Sequence, residues 1–327
     1  MLNCIEPGSY FRPHKHLNPL KREIYIILQG KAIVIQFDDP GNIEDYFILD
    51  PSIGNYGVEI PPAKYHTLIV LKTTVIYELL VITGILDDIF NLSPKIRFLI
   101  QILSVSIALF FLKGLNKLDL GFIIIQAPVF LTIIAAIGIV WFINLYNFID
   151  GIDGYASMEA IFVGGALYYF TKNEIALLLA IATLGFLPWN WQRAKIFMGD
   201  VGSTLLGFIL IVLGIYFQNK GEFSLINWLI LTSLFWFDAT STLYRRWRNK
   251  EKLSVAHRKH AYQRIVQAGS SHQRTVIYAI FINLFLLISV FLAIKFPKLM
   301  VGILIIDTFL LYSVVKLIDK KKPFKEA

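Results

Sequence analysis

Asn144-Leu-Tyr-Asn147-Phe-Ile-Asp150-Gly151-Ile-Asp153-Gly154 closes one long apolar segment, and Phe186-Leu-Pro-Trp-Asn190 to Lys195-Ile-Phe-Met-Gly199-Asp200-Val-Gly202-Ser203 joins the next two. In both places carboxylates stand at the ends of membrane-length apolar runs. A carboxylate beside hydrocarbon is costly unless it meets a cation, a partner or water, so acids placed there read as functional. With Asp87-Asp88 upstream, the pattern predicts one metal- and phosphate-handling site at a membrane face.

Working outward, 56% of the residues are hydrophobic and the mean hydropathy is +0.61, well above an ordinary soluble domain. Apolar runs at 97–112, 129–149, 156–171, 174–189, 203–217, 224–243, 275–295 and 298–317 are each long enough, or nearly so, to cross a bilayer. The expected fold is mainly α, a polytopic helical membrane bundle of about eight spans behind a small N-terminal β domain. The expected organisation is 1–79 for the β domain, 80–319 for the membrane domain and 320–327 for a basic tail.

Lys and Arg near span ends favour the cytoplasm. The 244–274 segment carries nine of them against one acid, Glu251. With that loop inside, an eight-span count also puts 87–97, 147–155, 190–202 and the tail Lys320-Lys321-Lys322 inside. Every acidic motif then shares the cytoplasmic face. The net charge of +8 is accounted for by topology and an anionic lipid surface, and nucleic acid is excluded as a partner.

The first 80 residues contain no span and no signal peptide. Short alternating runs (24–28, 32–37, 67–71, 75–79) are separated by turn residues such as Asp38-Asp39-Pro40-Gly41-Asn42, which predicts an antiparallel sheet or small barrel. Cys4 is the single cysteine, so no intrachain disulfide forms. His14 and His16, at alternate positions of a strand, Glu23 and His66 have the composition of a zinc or iron site. The plain alternative is that these histidines are surface or core residues of the sheet. Gly8-Ser-Tyr-Phe-Arg-Pro-His14-Lys-His16 and Glu59-Ile-Pro-Pro-Ala-Lys-Tyr-His66-Thr resemble a cupin-fold metalloprotein segment, incomplete at both ends.

Four motifs of the membrane part occur in order. Gly84-Ile-Leu-Asp87-Asp88 to Arg97-Phe-Leu-Ile-Gln101, Asn144 to Ser157, Asn190 to Gly207 and His257-Arg258-Lys259-His260-Ala-Tyr262-Gln263-Arg264 resemble the cytoplasmic motifs of the polyprenyl-phosphate N-acetylhexosamine-1-phosphate transferases, glycosyltransferase family 4. The last resembles its O-antigen-initiating branch. The resemblance implies transfer of a sugar 1-phosphate from a UDP-N-acetylhexosamine to polyprenyl phosphate, with release of UMP.

That chemistry brings together like charges, which Mg2+, or Mn2+ in its place, neutralises through hard oxygen ligands. Asp200 is expected as the direct metal ligand. Asp87 and Asp88 are expected to support the metal or position the lipid phosphate. Asp150 and Asp153 are expected to hold the nucleotide, the metal's waters or both. Asn147 and Asn190 supply directional hydrogen bonds, Lys195 and Arg264 are expected at the substrate, and His257, Arg258 and His260 at the diphosphate in the transition state. Arg245, Arg246, Arg248 and Lys250 read as a topology signal. Asp238 reads either as an ion-pair partner of Arg245 and Arg246 or as a substrate contact, and Asp307 as an acid without a local partner.

Members of that family carry about two and a half further spans before the Asp87-Asp88 motif, whereas here cupin-like text runs to Glu78. The expectation is a truncated chain of much reduced activity. The competing expectations are a catalytically defective fusion protein and an ion-coupled transporter. The transporter is disfavoured because its acids belong near the bilayer midplane. Assembly as a homodimer is an open expectation.

Overall fold

A computed structural model describes residues 4–5, 15, 23–26, 31–53, 55, 57–61, 63–72, 74–75, 93–253, 255 and 257–324. The chain divides into two compact units, Met1–Ile82 and Thr83–Ala327.

The first unit contains strands β1 (Cys4–Ile5), β2 (Glu23–Ile26), β3 (Lys31–Phe37), β4 (Ile43–Leu49), β5 (Gly57–Ile60), β6 (Tyr65–Lys72) and β7 (Thr74–Val75). All their pairings are antiparallel, in sheets ordered β4-β3-β6, β2-β5 and β1-β7. β3 alternates buried and half-buried side chains along Lys-Ala-Ile-Val-Ile-Gln-Phe, the period of a strand with one face on a core. That core is Ala32, Val34, Leu49, Ile60 and Leu68. β4 lay between the expected runs, since Glu44 and Asp45 interrupt its alternation and most of it is exposed. Three separate sheets, rather than a continuous barrel, are what the described residues form. Of the expected metal quartet, His14, His16 and the Glu23 side chain lie outside the described residues. His66 is buried on β6, its Nδ1 2.9 Å from the Lys64 carbonyl oxygen.

The second unit is helical: α1 (Pro94–Leu112), α2 (Pro128–Ile149), α3 (Tyr155–Thr171), α4 (Glu174–Asn190), α5 (Gly199–Lys220), α6 (Leu225–Leu231), α7 (Ser233–Arg248), α8 (Ala261–Gln267), α9 (His272–Lys295) and α10 (Met300–Lys321). The starts follow local chemistry. Ser93 accepts from Ile96 N with Pro94 in the first turn, Asn173 accepts from Ile175 N and Ala176 N, and Ser271 accepts from Arg274 N. Among the described residues, five segments are long and apolar enough to cross a membrane: Lys95–Leu112, Pro128–Ile149, Gly199–Lys220, His272–Lys295 and Pro297–Lys321. α3 and α4 have 17 residues each.

The continuous span expected over 224–243 is corrected to two helices meeting at Thr232. There Thr232 Oγ1 donates to Trp228 O at 2.9 Å and Trp236 Nε1 to Leu229 O at 2.8 Å. The following turns bury Ser233, Asp238 and Thr242, a polar face unlike a lipid-facing helix.

Asn219 holds the end of the unit where α1 stops and α5 ends. Its Nδ2 donates to the carbonyls of Leu112 (3.2 Å) and Gly114 (2.7 Å), and its Oδ1 accepts from Asn116 N at 3.2 Å. A short hairpin, β8 (Leu118–Asp119) and β9 (Ile124–Ile125), lies there too. Between the ends, polar side chains join helices inside the bundle. Asn144 Nδ2 donates to Gln101 Oε1 at 2.8 Å, Asn283 Nδ2 to Glu159 Oε2 at 2.6 Å, and Ser289 Oγ to Asp307 Oδ1 at 3.0 Å. The last contact gives Asp307, which has no local partner in the sequence, a distant one on α9. An aromatic column runs through the core from Trp228 through Phe142, Tyr146, Phe235 and Tyr155 to Tyr262.

Candidate active site

The opposite end of the helical unit gathers the acids. Asp200 opens α5, where exposed backbone N–H groups favour a negative charge. Its carboxylate accepts from Asn147 Nδ2 at 2.9 Å and from Arg97 Nη1 at 3.1 Å. Asn147 also donates to Ser203 Oγ at 3.0 Å. Three elements therefore fix one carboxylate: the first turn of α1, the last turn of α2 and the first turn of α5.

Asp150 follows the last residue of α2. Burial, and then the Asp200 charge, push its carboxyl up to about 7. Asp150 thus lies close enough to Asp200 to feel its charge. Asp153 lies 3.2 Å from His272 Nδ1 at the start of α9, and its Oδ2 accepts from Ala194 N at 3.3 Å. The turn between them depends on two glycines. A Cβ at Gly151 would collide with Tyr262 Oη, and Gly154 has φ +75°, a region that L side chains rarely adopt.

Asn190 is 2% exposed and bonded on all sides: its Oδ1 accepts from Gly154 N (3.2 Å) and Ser157 Oγ (2.7 Å), while Nδ2 donates to Ile196 O (3.1 Å). The sequence places it at the substrate; the fold uses its oxygen and an N–H to shape the turn that carries Asp153. Lys195 Nζ stands 5.4 Å from the centre of the Trp189 ring, with its ammonium at the same end as the acids.

The basic loop is built differently from its expected role as a set of cations. His260 is 2% exposed, and its ring stacks on Tyr262 at 5.8 Å. Burial pushes His260 below its usual value despite Asp238 beside it. Burial, then His260 and Arg246, push His257 down to about 4. Both imidazoles are thus biased toward the neutral form, in which each ring offers an N–H donor. Arg258 is exposed.

Arg264, expected at the substrate, is 1% exposed and donates instead to Asp319, to Lys259 O at 3.1 Å and to Lys322 O at 3.0 Å. Arg245 pairs with Asp319, and Arg246 with Glu251 at 3.1 Å, so neither partners Asp238. Asp238 accepts from Ala261 N at 2.8 Å and Tyr262 N at 3.4 Å and so seats the start of α8.

Asp87 and Asp88 lie outside the described residues. Among the described residues, no three His, Cys, Asp or Glu side chains are grouped closely enough to hold a metal ion. Arg97, His272 and Ser203 were not singled out as site residues. A lone arginine in the first turn of an apolar helix, and a histidine just after a capping serine, were the available signals.

Comparison with known proteins bears directly on this arrangement. The profile described as "Glycosyl transferase family 4" matches residues 68–218. A Bacillus subtilis (strain 168) protein named "Probable undecaprenyl-phosphate N-acetylglucosaminyl 1-phosphate transferase" is 32% identical over 269 residues, covering 75% of this chain and 73% of that one. The chain belongs to glycosyl transferase family 4.

This family member also resembles the phospho-N-acetylmuramoyl-pentapeptide-transferase of Streptococcus thermophilus (strain ATCC BAA-250 / LMG 18311), with 35% identity over 51% of this chain and 53% of the relative. The undecaprenyl-phosphate alpha-N-acetylglucosaminyl 1-phosphate transferase of Escherichia coli O157:H7 is 30% identical over 61% of this chain and 58% of the relative. The chain thus spans little more than half the length of these last two relatives. Its class is that of the phosphoglycosyl transferases. The family match contains Asn147, Asp150, Asp153, Asn190, Lys195 and Asp200 and ends before the His257–Arg264 loop. Residues 1–49 match instead a domain of unknown function, DUF6016.

Proposed function

We propose that this chain transfers an N-acetylhexosamine 1-phosphate from a UDP-sugar to a polyprenyl phosphate such as undecaprenyl phosphate, beginning a lipid-linked surface polysaccharide of the O-antigen type. The observation that carries this reading is the pair Asp150 and Asp200 at the bundle end, with Arg97 and Asn147 holding Asp200 in place.

In the reaction, a phosphate oxygen of the lipid attacks the β-phosphorus of the donor. The bond from that phosphorus to the bridging oxygen breaks, and UMP leaves with the bonding electrons. The lipid phosphate is already ionised near neutral pH, so the site needs charge stabilisation more than a base. Two neighbouring acids suit a divalent cation: Asp150 is raised by burial and then by the Asp200 charge, and a bound cation would relieve the second. Asp200 would hold Mg2+, with Asp150 beside it, and the ion would supply hard-acid neutralisation of the substrate phosphates. Asp153, fixed by His272 and the Ala194 amide, is assigned to the nucleotide side. His257 and Arg258, with His260 as support, donate hydrogen bonds to the diphosphate.

We read α3, α4 and the broken pair α6–α7 as crossing the membrane with the five longer segments, in a bacterial plasma membrane. The active end, the N-terminal unit and the C-terminus face the cytoplasm. Purified protein, given UDP-N-acetylglucosamine and undecaprenyl phosphate, should release UMP only when Mg2+ is present. UMP release that ignores either the lipid or the metal would sink the reading. Reporter tags at residues 250 and 219 should fall on opposite sides of the membrane.

A further inference from the structure

The C-terminal segment behind α10 reads in sequence as a basic tail beside lipid. In the fold it is packed against the basic loop. Phe324 is 5% exposed. Around its ring stand Arg245, with its guanidinium carbon 4.0 Å from the ring centre, Lys259 at 5.4 Å and Arg264 at 5.5 Å. Cations over an aromatic face are attracted by the ring's negative centre, and the more so when water is displaced. Asp319 adds the matching anion: it accepts two bonds from Arg245, at 3.0 and 3.1 Å, and one from Arg264. Arg264 Nη1 also donates to the Lys322 carbonyl at 3.0 Å, and its Nε to that of Lys259.

Every cation in this cluster leads back to the loop. Arg245 leaves α7 one turn before the loop begins. Lys259 lies between Arg258 and His260 and also pairs with Glu251 at 3.1 Å. Arg264 sits in α8 immediately behind. From inside the loop, Arg246 donates to the carbonyls of Leu253 (3.3 Å), Lys252 (2.6 Å) and Val255 (3.1 Å). The loop is therefore held from α7 on one side and from the C-terminal segment on the other.

We propose that Asp319 and Phe324 are positioning residues of the transfer reaction: they clamp Arg245, Lys259 and Arg264 and thereby hold His257 and Arg258 at the diphosphate. This rests on the functional reading above, since it assigns those two side chains to the donor. Neither Asp319 nor Phe324 touches substrate. Their effect passes through the three cations, so a ring that keeps its π face should preserve the function and an aliphatic stub should not.

The test uses the full-length purified protein in lipid nanodiscs, with Phe324→Ala, Phe324→Trp and Asp319→Asn. Trypsin cleavage within 249–260 reports the loop, and UMP release against UDP-N-acetylglucosamine concentration reports the reaction. Phe324→Ala and Asp319→Asn should each speed loop cleavage and lower kcat/KM, by about tenfold or more, the scale at which small misplacements affect a reacting centre. Phe324→Trp should restore both. If Phe324→Ala does not insert, Asp319→Asn carries the test alone, because it removes charge without removing volume.

Unchanged cleavage, or faster cleavage with unchanged kcat/KM, would overturn the clamp. If the parent protein releases no UMP, the transfer reading fails, and protease exposure of the loop alone decides whether the clamp exists.

Discussion

The two ends of the helical unit are built from similar materials and do different things with them. At one end, Asn219 satisfies the carbonyls of Leu112 and Gly114 and the amide of Asn116. One neutral side chain there closes the chain reversals, and its polar atoms are all used by the fold. At the other end, Asp150 is raised by burial and by Asp200, and Arg258 is exposed. Turns alone do not require two acids near enough for one to raise the other. The lesson is to ask which polar groups the fold already consumes. By that standard Asn190 and Arg264 serve structure, whereas the Asp200 carboxylate is held by Arg97 and Asn147 at the end where Asp150 also lies.

The comparison breaks most visibly at Asp200. Asp200→Asn keeps the shape and removes the charge, so UMP release should fall at least about a hundredfold, the order seen when a single group stabilising transition-state charge is lost. Membrane insertion and the detergent unfolding midpoint should stay near those of the parent. Retention of near-normal turnover would mean that the metal is held elsewhere.

At the other end the expected result is reversed. Asn219→Ala should cost about 0.5–1.5 kcal/mol of stability, the net worth of hydrogen bonds to partly exposed backbone groups. Because no charge at the active end is altered, kcat/KM should stay within about twofold. A large kinetic effect would show that the two ends are coupled.

Asp150 sharpens the comparison through pH. A carboxyl raised to about 7 from an ordinary 3.8 leaves the folded state's stability intact below about pH 4, and some of it is lost as pH rises through 7. In metal-free protein, Asp150→Asn should therefore raise the thermal midpoint at pH 8, and the gain should vanish as pH approaches 4. Added Mg2+ should shrink the gain at pH 8. A pH-independent difference would remove Asp150 from the charged pair.

The smallest effect is expected at Lys195. Its ammonium sits over a half-exposed tryptophan ring, and such contacts are worth about 0.5–1 kcal/mol at exposed sites. Lys195→Ala should leave stability almost unchanged and raise KM for the UDP-sugar a few-fold. No change in KM would reduce Lys195 to a surface residue.

The acids at span ends were legible in the sequence because each stands against its own apolar surroundings. Their partners were not: Arg97 lies 103 residues from Asp200, and His272 lies 119 from Asp153. Periodicity carries no information about such pairs. Asp238 was visible as a carboxylate near a span end, but its role as an acceptor for α8 amides depends on a chain reversal no local pattern encodes. The break at Thr232 was hidden because a hydropathy window averages over Leu225–Leu231 and the polar turns that follow. In the N-terminal unit the alternation of β3 was plain, whereas β4, with charges where an alternating strand would place apolar residues, was not.

Glu159 and Asn283, joined across α3 and α9, also set a schedule for assembly. They are 124 residues apart, so at synthesis rates of about 5–20 residues per second Asn283 is made roughly 6–25 s after Glu159. During that interval α3 carries an acid whose partner has not yet been translated. Until α9 arrives, the α3 carboxyl lacks the amide that donates to it in the folded unit.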